Sequence, residues 1–363
     1  MGHDRAIQGI GPCSGQAEQV MIRGETNPGR LSVAPMMEVT DRHFRWLLRR
    51  ITRRTLLYTE MVHAGAILRG DRTRFLRFHA DENPVALQLG GCDPEHLAEA
   101  ARIGAEWGYD EINLNVGCPS PRVTAGRFGA CLMAEPDLVA RIMAAMAEGV
   151  AACARPVAVT VKCRLAIDEM EEWPTLTRLV DACTAVGVSR FIVHARKAWL
   201  DGLSPKENRD VPPLRYELVH RLKAERPHLD ITINGGIRTL DAAEAHLDRV
   251  DGVMIGRAVQ DGPWMLADAD RRIYADADAP QPDRAGVVAA YAEYAEAELR
   301  TGTPLAPIAR AALALWNGAP GARVWRRHLG EGCRKPGAGP ELFLEALARV
   351  QDVSAGFAAR EAA

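Results

Sequence analysis

The strongest constraint on the fold is a repeated alternation, after residue 30, of short β-type runs with longer amphipathic segments. Several of the runs are apolar almost throughout, which is typical of parallel strands covered on both faces. The segments between them begin with helix-capping residues, for example Asp93 followed by Pro94. The predicted strands are residues 31–36, 56–61, 85–90, 111–117, 157–164, 191–196, 230–236 and 252–257.

Eight strand–helix units in one continuous stretch favour a (β/α)8 barrel over an open Rossmann-type sheet. An open sheet of that type would carry a GxGxxG motif after its first strand, and this chain has none there. The 363 residues exceed what the barrel needs, and from residue 284 onward the pattern is helical and alanine-rich. We therefore predict an α/β chain with a TIM barrel over 31–267 and a small all-α domain over 284–363, preceded by a flexible arm at 1–30.

Composition excludes several classes of protein. Lys plus Arg number 45 and Asp plus Glu number 47, and the net charge of −2 argues against a general polycation. No segment approaches about eighteen uncharged apolar residues, and the N-terminus lacks an apolar signal sequence, so we expect no membrane association. The eight cysteines form no CxxC pair, which argues against a metal site and a disulfide scaffold. We expect a monomer in the reducing cytoplasm.

Active sites of such barrels lie at the carboxyl ends of the strands, so the residues there are the candidates for chemistry. Glycines after the seventh and eighth strands are typical of a phosphate site, because they let backbone N–H groups reach phosphate oxygens. Tight turns also require glycine, so these residues alone do not decide the matter. The candidates at the strand ends include Gln88, Asn115, Lys162, His194, Asn234, Gly235, Gly236, Gly256 and Arg257.

Three candidate side chains carry reactive groups. Lys162 ends the fifth strand, where a lysine is either a Schiff-base nucleophile or a cation that holds negative charge on a cofactor. His194 has the alternative of being a hydrogen-bonded core histidine. Cys118 lies between Gly117 and Pro119, which favours a loop at the barrel mouth. Because a thiol is mostly protonated at neutral pH, Cys118 can donate a proton; the alternative is a small buried apolar residue.

Several motifs resemble those of the tRNA-dihydrouridine synthases, and the resemblance covers about residues 31–335. A longer stretch, HARKAWLDGLSPKENR at 194–209, resembles the A subfamily in particular, as do GAR at 321–323 and WRR at 325–327. The other matching motifs are VAPM at 33–36, TDR at 40–42, NLNVGCPS at 113–120, GACLM at 129–133, VKCR at 161–164, INGG at 233–236 and GVMIGR at 252–257.

The resemblance implies an FMN enzyme that reduces the C5=C6 bond of uridines at positions 20 and 20a of the tRNA D-loop. It implies hydride transfer from N5 of reduced FMN to C6, a proton from Cys118 to C5, and reduction of FMN by NADPH, although the sequence does not separate NADPH from NADH. The implied FMN contacts are Pro35, Met36, Met37, Gln88, Lys162, His194, Asn234, Gly235, Gly236, Gly256 and Arg257. The implied tRNA contacts are Asn115, Lys206, Glu207, Arg209, Arg323 and Arg326.

The charge distribution agrees with a nucleic-acid substrate. Residues 310–335 hold six Lys or Arg and a single acidic residue, Glu331, in a chain that is otherwise balanced. A uracil in folded tRNA must be extruded to reach a barrel mouth, at a cost of a few kcal/mol, and phosphate contacts offset that cost. The segment is therefore a predicted tRNA-binding region; a solvated helix face is the alternative.

Three departures from the family pattern, and two competing functions, remain. Val39 stands where an aromatic residue is expected, Ala166 replaces a glycine after the fifth strand, and residues 1–30 match nothing in the family. The first competing function is an FMN barrel that reduces a small molecule such as a pyrimidine base or an enone. The second is a non-enzymatic RNA-binding protein on a degenerate barrel, which would have lost Cys118 or Lys162.

Overall fold

The computed structural model describes residues 27–361, with side chains described to residue 355. Most of the predicted arm at 1–30 lies outside this range. Within it, eight parallel strands pair in chain order and close into a barrel, which confirms the predicted fold class. The strands are β1 (Leu31–Val33), β2 (Leu56–His63), β3 (Val85–Gly90), β4 (Glu111–Val116), β5 (Ala158–Arg164), β6 (Arg190–His194), β7 (Asp230–Asn234) and β8 (Gly252–Ile255).

Helices surround the barrel and begin where capping residues occur. Asp93, for example, accepts a hydrogen bond from the backbone N–H of His96, with Pro94 in the first helical position. These helices are α1 (Arg42–Ile51), α2 (Ala64–Arg69), α3 (Arg72–Leu76), α4 (Pro94–Glu106), α5 (Pro121–Ala125), α6 (Pro136–Ala151), α7 (Glu172–Thr184), α8 (Tyr216–Glu225), α9 (Leu240–Leu247), α10 (Arg257–Asp261) and α11 (Ala269–Ile273). Short 3-10 turns lie at Pro28–Arg30, Ala80–Glu82, Gly129–Ala134, Glu207–Arg209 and Pro263–Asp268.

Several strands are shorter at their carboxyl ends than the sequence predicts. The first strand ends at Val33 rather than at residue 36, because Pro35 has no N–H with which to continue the ladder. The eighth ends at Ile255, and α10 begins two residues later. The residues beyond these ends therefore leave the sheet and lie at the mouth, where their backbone groups are free to meet a ligand.

The register of the sheet places the polar strand ends beside one another. Asn115 of β4 is paired with Lys162 of β5, and His194 of β6 is paired with Asn234 of β7. Gln88 of β3 is paired in the same way with Asn113 of β4. Because parallel strands all present their carboxyl ends at the same face, side chains distant in sequence meet there.

The C-terminal part of the chain is helical in the described residues, as predicted. Its helices are α12 (Arg284–Arg300), α13 (Leu305–Ala312), α14 (Ala322–Gly332) and α15 (Glu341–Glu361). Trp325 is fully buried among them, and its ring lies 4.7 Å from that of Trp316. None of the described helices is long and apolar enough to cross a bilayer. The division of the chain into domains at residues 267 and 284 stays a prediction.

The C-terminal helices are attached to the barrel next to its mouth. Tyr294 of α12 stacks on Trp46 of α1 with ring centroids 4.4 Å apart, and its hydroxyl lies 2.7 Å from His43 Nδ1. Glu298 of α12 forms ion pairs with Arg42, at 2.5 Å, and with Arg77, at 2.6 Å. Burial, reinforced by the positive charge of Arg42, lowers the pKa of His43 to about 3, so that this histidine is neutral. Aromatic packing and a shared carboxylate thus hold the helices against α1 and α3.

Candidate active site at the barrel mouth

A cavity of about 1270 Å³ opens at the carboxyl ends of the strands. This is larger than the ~300–1,000 Å³ usual for a single small ligand. Its lining includes Cys118 and every residue predicted to contact the cofactor, and it extends to Pro307 of the C-terminal helices. Of the predicted tRNA contacts, Asn115 and Arg209 line the cavity, whereas Lys206, Glu207, Arg323 and Arg326 lie outside it.

The turn after β7 has a shape that only glycine allows. Gly235 and Gly236 have φ angles of +116° and +70°, in the region that L side chains rarely adopt. A Cβ on Gly236 would lie 2.6 Å from the side chain of Leu214 and 2.8 Å from the hydroxyl of Tyr216. The turn therefore brings bare backbone to the cavity, as a phosphate site requires. On the neighbouring turn, Arg257 donates to Asp210 at 2.7 Å.

Two buried nitrogen groups below this turn, on Lys162 and His194, have fewer hydrogen-bond partners than buried polar groups usually have. The Lys162 ammonium donates to Asn234 Oδ1 at 3.2 Å, and burial, together with the charge of Arg164, lowers its pKa to about 8. His194 Nε2 is buried and has no hydrogen-bond partner among the described residues. Burial and the neighbouring cations Arg164 and Lys162 lower the pKa of His194 well below its usual value, so the ring is neutral.

These features form a donor set suited to an anionic cofactor. The ammonium of Lys162 has room for a second partner, and the unpartnered nitrogen of His194 lies next to the glycine turn, where a Cβ on Gly235 would come within 3.1 Å of the imidazole. A buried polar atom without a partner is costly, and a bound ligand removes the cost. The residues present therefore fit a phosphate-bearing ring cofactor such as a flavin nucleotide. In the part of the chain that the structure describes, no cluster of three or more His, Cys, Asp or Glu side chains could hold a metal ion.

The loop that carries Cys118 is held from both sides. Asn115 Oδ1 accepts hydrogen bonds from the backbone N–H groups of Gly117 and Cys118, both at 3.0 Å. The Cys118 carbonyl accepts one from Ala130 N–H at 3.0 Å. Gly129 has φ +64°, and a Cβ there would lie 2.7 Å from that carbonyl. The partly exposed thiol is thus placed on a defined loop that faces the cavity.

Arg164 has a role that the sequence analysis missed. Its buried guanidinium donates from Nε to the Gly117 carbonyl at 2.9 Å, next to Cys118. Nη1 donates to the carbonyls of Lys197 and Asn208, both at 2.9 Å. Burial lowers the pKa of Arg164 to about 10, so it stays a cation at neutral pH. Its position two residues after Lys162, on the same face of β5, is the signal that could have identified it.

The departure at Ala166 does not leave its loop without support. Ala166 accepts a backbone hydrogen bond from Ala198 at 2.9 Å, and Asp168 donates to the Ala198 carbonyl at 2.8 Å. The positive φ in this loop, +46°, falls on Asp168 rather than on Ala166, and the Asp168 carboxylate accepts from Leu200 N–H at 2.8 Å. The loops after β5 and β6 therefore pair with each other above the barrel.

The rim of the cavity is strongly basic, which the sequence did not reveal. The carboxylates that line it belong to Asp41 and Glu60. The arginines come from segments far apart in the chain, so no run of sequence marks them as a group. Those at the rim are Arg42, Arg74, Arg77, Arg122, Arg209, Arg238 and Arg257, whereas Arg45 and Arg164 line the cavity but are buried.

Comparison with known proteins gives consistent matches over most of the chain. The dihydrouridine synthase (Dus) family model matches residues 32–351. The tRNA-dihydrouridine(20/20a) synthase of Synechocystis sp. is 54% identical over 91% of this chain and 96% of its own. Proteins of the same name from Xanthomonas campestris and Vibrio parahaemolyticus are 51% and 50% identical, covering 96% and 98% of their lengths. A solved structure, morphinone reductase, aligns with 71% of this chain and 88% of its own at 14% identity and a TM-score of 0.48.

Proposed function

Because this chain belongs to the dihydrouridine synthase family, we propose that it reduces the C5=C6 bond of uridine to 5,6-dihydrouridine at positions 20 and 20a of the tRNA D-loop. The observation that carries the proposal is the meeting, at one barrel mouth, of a partly exposed thiol, a buried lysine and a glycine turn. The relatives named above, about half identical over nearly their whole length, support the same reaction and the same tRNA positions.

The residues at the mouth suit FMN as the cofactor. FMN, when bound, supplies hydride to C6 of uracil and is reduced again by NADPH. The backbone of Gly235 and Gly236, with Arg257 nearby, would hold its phosphate. Lys162 would hold the negative charge of the ring system, and His194 would donate from its now unpartnered nitrogen. Pro35, Met36, Met37, Gln88, Asn234 and Gly256 would complete the site.

Cys118 is the proposed general acid. Hydride addition at C6 leaves a negative charge shared by C5 and the adjacent carbonyl oxygen, and transfer of the thiol proton to C5 completes the saturated ring. The resulting thiolate takes a proton from solvent, which reaches the loop because Cys118 is only partly buried. The hydrogen bonds of Asn115 and Ala130 to the Cys118 backbone fix where the thiol stands.

The tRNA would bind across the mouth and the adjacent C-terminal helices. The proposed contacts remain Asn115, Lys206, Glu207, Arg209, Arg323 and Arg326. The basic rim supports this arrangement, since phosphates that flank an extruded uridine must pass close to it. Reduction of a small molecule instead would give no role to Arg122 and Arg209, which line the cavity and form no ion pair with the described residues. A monomeric state and a cytoplasmic location stay predictions.

The decisive test is nucleoside mass spectrometry of tRNA that lacks dihydrouridine, incubated with the protein, FMN and NADPH. A gain of two mass units on uridine is expected, and mass spectrometry of nuclease fragments of the same tRNA should assign it to positions 20 and 20a. Cys118→Ala should bind FMN and accept electrons from NADPH normally yet lose most uridine reduction, at least about 100-fold, as is usual for a lost general acid. Cys92→Ala, a cysteine outside the cavity, is the matched control.

Two results would contradict the proposal. Flavin turnover with pyrimidines or enones, but without any change in tRNA, would favour the small-molecule reductase. Unchanged uridine reduction by Cys118→Ala would remove this thiol from the mechanism while leaving the reaction in place.

A further inference from the structure

A chain of buried polar side chains runs through the barrel from its floor to the Cys118 loop. Its members below the cavity are Glu111, Thr160 and Asn113, each no more than 2% exposed. Gln88 and Asn115 continue it upward and line the cavity. Such groups are expensive to bury, and a chain in which each is satisfied specifies one arrangement. The lower members do not line the cavity, so the direction of their hydrogen bonds calls for an explanation within the protein itself.

The contacts are continuous. Asn115 Nδ2 donates to Gln88 Oε1 at 2.8 Å, and Gln88 Nε2 donates to Asn113 Oδ1 at 2.8 Å. Asn113 Nδ2 donates to Thr160 Oγ1 at 2.8 Å, and Thr160 Oγ1 donates to Glu111 Oε1 at 2.6 Å. The hydroxyl of Tyr58 donates to the same carboxylate oxygen, and Arg190 Nη1 lies 3.3 Å from the other one.

The two ends of this series of side chains fix the donor-to-acceptor direction of its hydrogen bonds. At the top, the backbone N–H groups of Gly117 and Cys118 can only donate, so Asn115 must turn its oxygen toward them. At the floor, Glu111 Oε1 accepts from Thr160 Oγ1, so the Thr160 oxygen is left to accept from Asn113. Every amide between these ends is thereby set in one of its two orientations. A break at Thr160 would leave the Asn113 amide without its acceptor, and the amides of Gln88 and Asn115 would then be held only from the top, by the N–H groups of Gly117 and Cys118.

We propose that Thr160 and Glu111 are positioning residues that set the side-chain amides of Gln88 and Asn115, and through them the Cys118 loop. The inference rests on the proposed function, because it assigns the two amides to the cofactor and substrate side of the site. It adds residues that touch neither ligand to those that control the reaction. Their effect is transmitted by hydrogen-bond direction rather than by packing.

The test compares Thr160→Val, which keeps the shape but removes the hydroxyl, with Thr160→Ser, which keeps the hydroxyl. Thr232→Val is the matched control, because Thr232 is an equally buried barrel threonine on β7 that is not part of this series of hydrogen-bonded side chains. For each FMN-loaded protein, the measurements are the visible flavin spectrum, the alkylation rate of Cys118 by iodoacetamide followed on its peptide, kcat, the KM for tRNA, and Tm.

For Thr160→Val we expect a shifted flavin spectrum, a change of about threefold or more in Cys118 alkylation, and a kcat lowered about tenfold with KM for tRNA within about twofold. A tenfold loss matches the free energy of one net hydrogen bond. Thr160→Ser and Thr232→Val should stay within about twofold of wild type. Glu111→Gln introduces an amide nitrogen that can donate a hydrogen bond where the carboxylate accepts one. It should change the flavin spectrum and the alkylation rate in the same direction as Thr160→Val, and it replaces that variant if Thr160→Val does not fold.

A Thr160→Val protein with lower Tm but unchanged spectrum, alkylation rate and kcat would overturn the proposal and reduce Thr160 to a structural residue. So would Thr160→Ser behaving like Thr160→Val. If wild-type protein failed to reduce uridine while Thr160→Val alone changed the spectrum and alkylation rate, the positioning role would stand and the proposed function would fail.

Discussion

At the scale of single residues, the cost of burying a charge decides the state of Lys162. Its pKa is lowered from 10.5 to about 8, first by burial and then by Arg164. Between these two values the unfolded chain holds more protons than the folded one, so this lysine makes stability of the ligand-free protein rise with pH over that interval. Below pH about 8 the ammonium is charged and its burial cost is fully present. An anionic ligand beside it would relieve that cost.

This gives a pH dependence for cofactor binding. Only the charged form of Lys162 holds the anionic ring of reduced FMN, and at pH 9 about one tenth of a group with this pKa is charged, so the affinity for reduced FMN should fall about tenfold between pH 7 and 9. The measurement is retention of dithionite-reduced FMN by the protein in anaerobic ultrafiltration. Lys162→Arg, which remains charged throughout, should show a flat profile. An equally steep fall in that variant would assign the pH dependence to another group.

At the scale of elements, the sequence predicted the eight strands because hydrophobic period is a local signal, but it placed several of their carboxyl ends two or three residues too late. It predicted Cys118 and Lys162 for the same reason, since each ends or follows a strand. It could not predict what Arg164 holds, because the carbonyls of Gly117, Lys197 and Asn208 meet only after the barrel closes. Apart from Arg209 and Arg257, the rim arginines were not predicted, for the same reason. Local pattern thus gives the positions of the loops but not the contacts between them.

Because the guanidinium of Arg164 donates hydrogen bonds to three loop carbonyls, we expect its removal to lower the stability of the fold. Arg164→Lys keeps the charge but cannot reach all three acceptors, and each buried carbonyl left unpaired costs about 1–3 kcal/mol. We expect the free energy of unfolding, measured in urea on the ligand-free protein, to fall by at least about 2 kcal/mol. Arg178→Lys, at an exposed position of α7, should change it by less than about 0.5 kcal/mol. Equal values for the two variants would show that the loops do not depend on this brace.

At the scale of the whole molecule, a chain of net charge −2 places nine arginines in the lining of one opening. The C-terminal helices stand next to that opening because Glu298 and the Trp46–Tyr294 stack fix them there. Their own basic residues, among them Arg323 and Arg326, lie outside the cavity. A long polyanion could therefore contact the rim and the helices together, whereas a small ligand could contact only the rim.

The salt dependence of tRNA affinity distinguishes phosphate contacts by the C-terminal helices from a solvated helix face. If Arg323 and Arg326 contact phosphates, Arg323→Ala and Arg326→Ala should each weaken tRNA binding and reduce the slope of log affinity against log salt by roughly one. Arg178→Ala, on α7, is the control and should leave the slope unchanged. The measurement is tRNA affinity by filter binding at several salt concentrations. Full affinity and an unchanged slope in both variants would make this segment a solvated helix face.

The closed barrel also restricts how ligands reach the cavity. Within the described residues its interior is filled by side chains such as Thr160, Thr232 and Ser32, all at most 2% exposed, so there is no rear passage to the cavity. Under the proposed function, the reductant and the extruded uridine both enter the cavity at this one mouth. An excess of tRNA is then expected to compete with the reductant and to slow turnover.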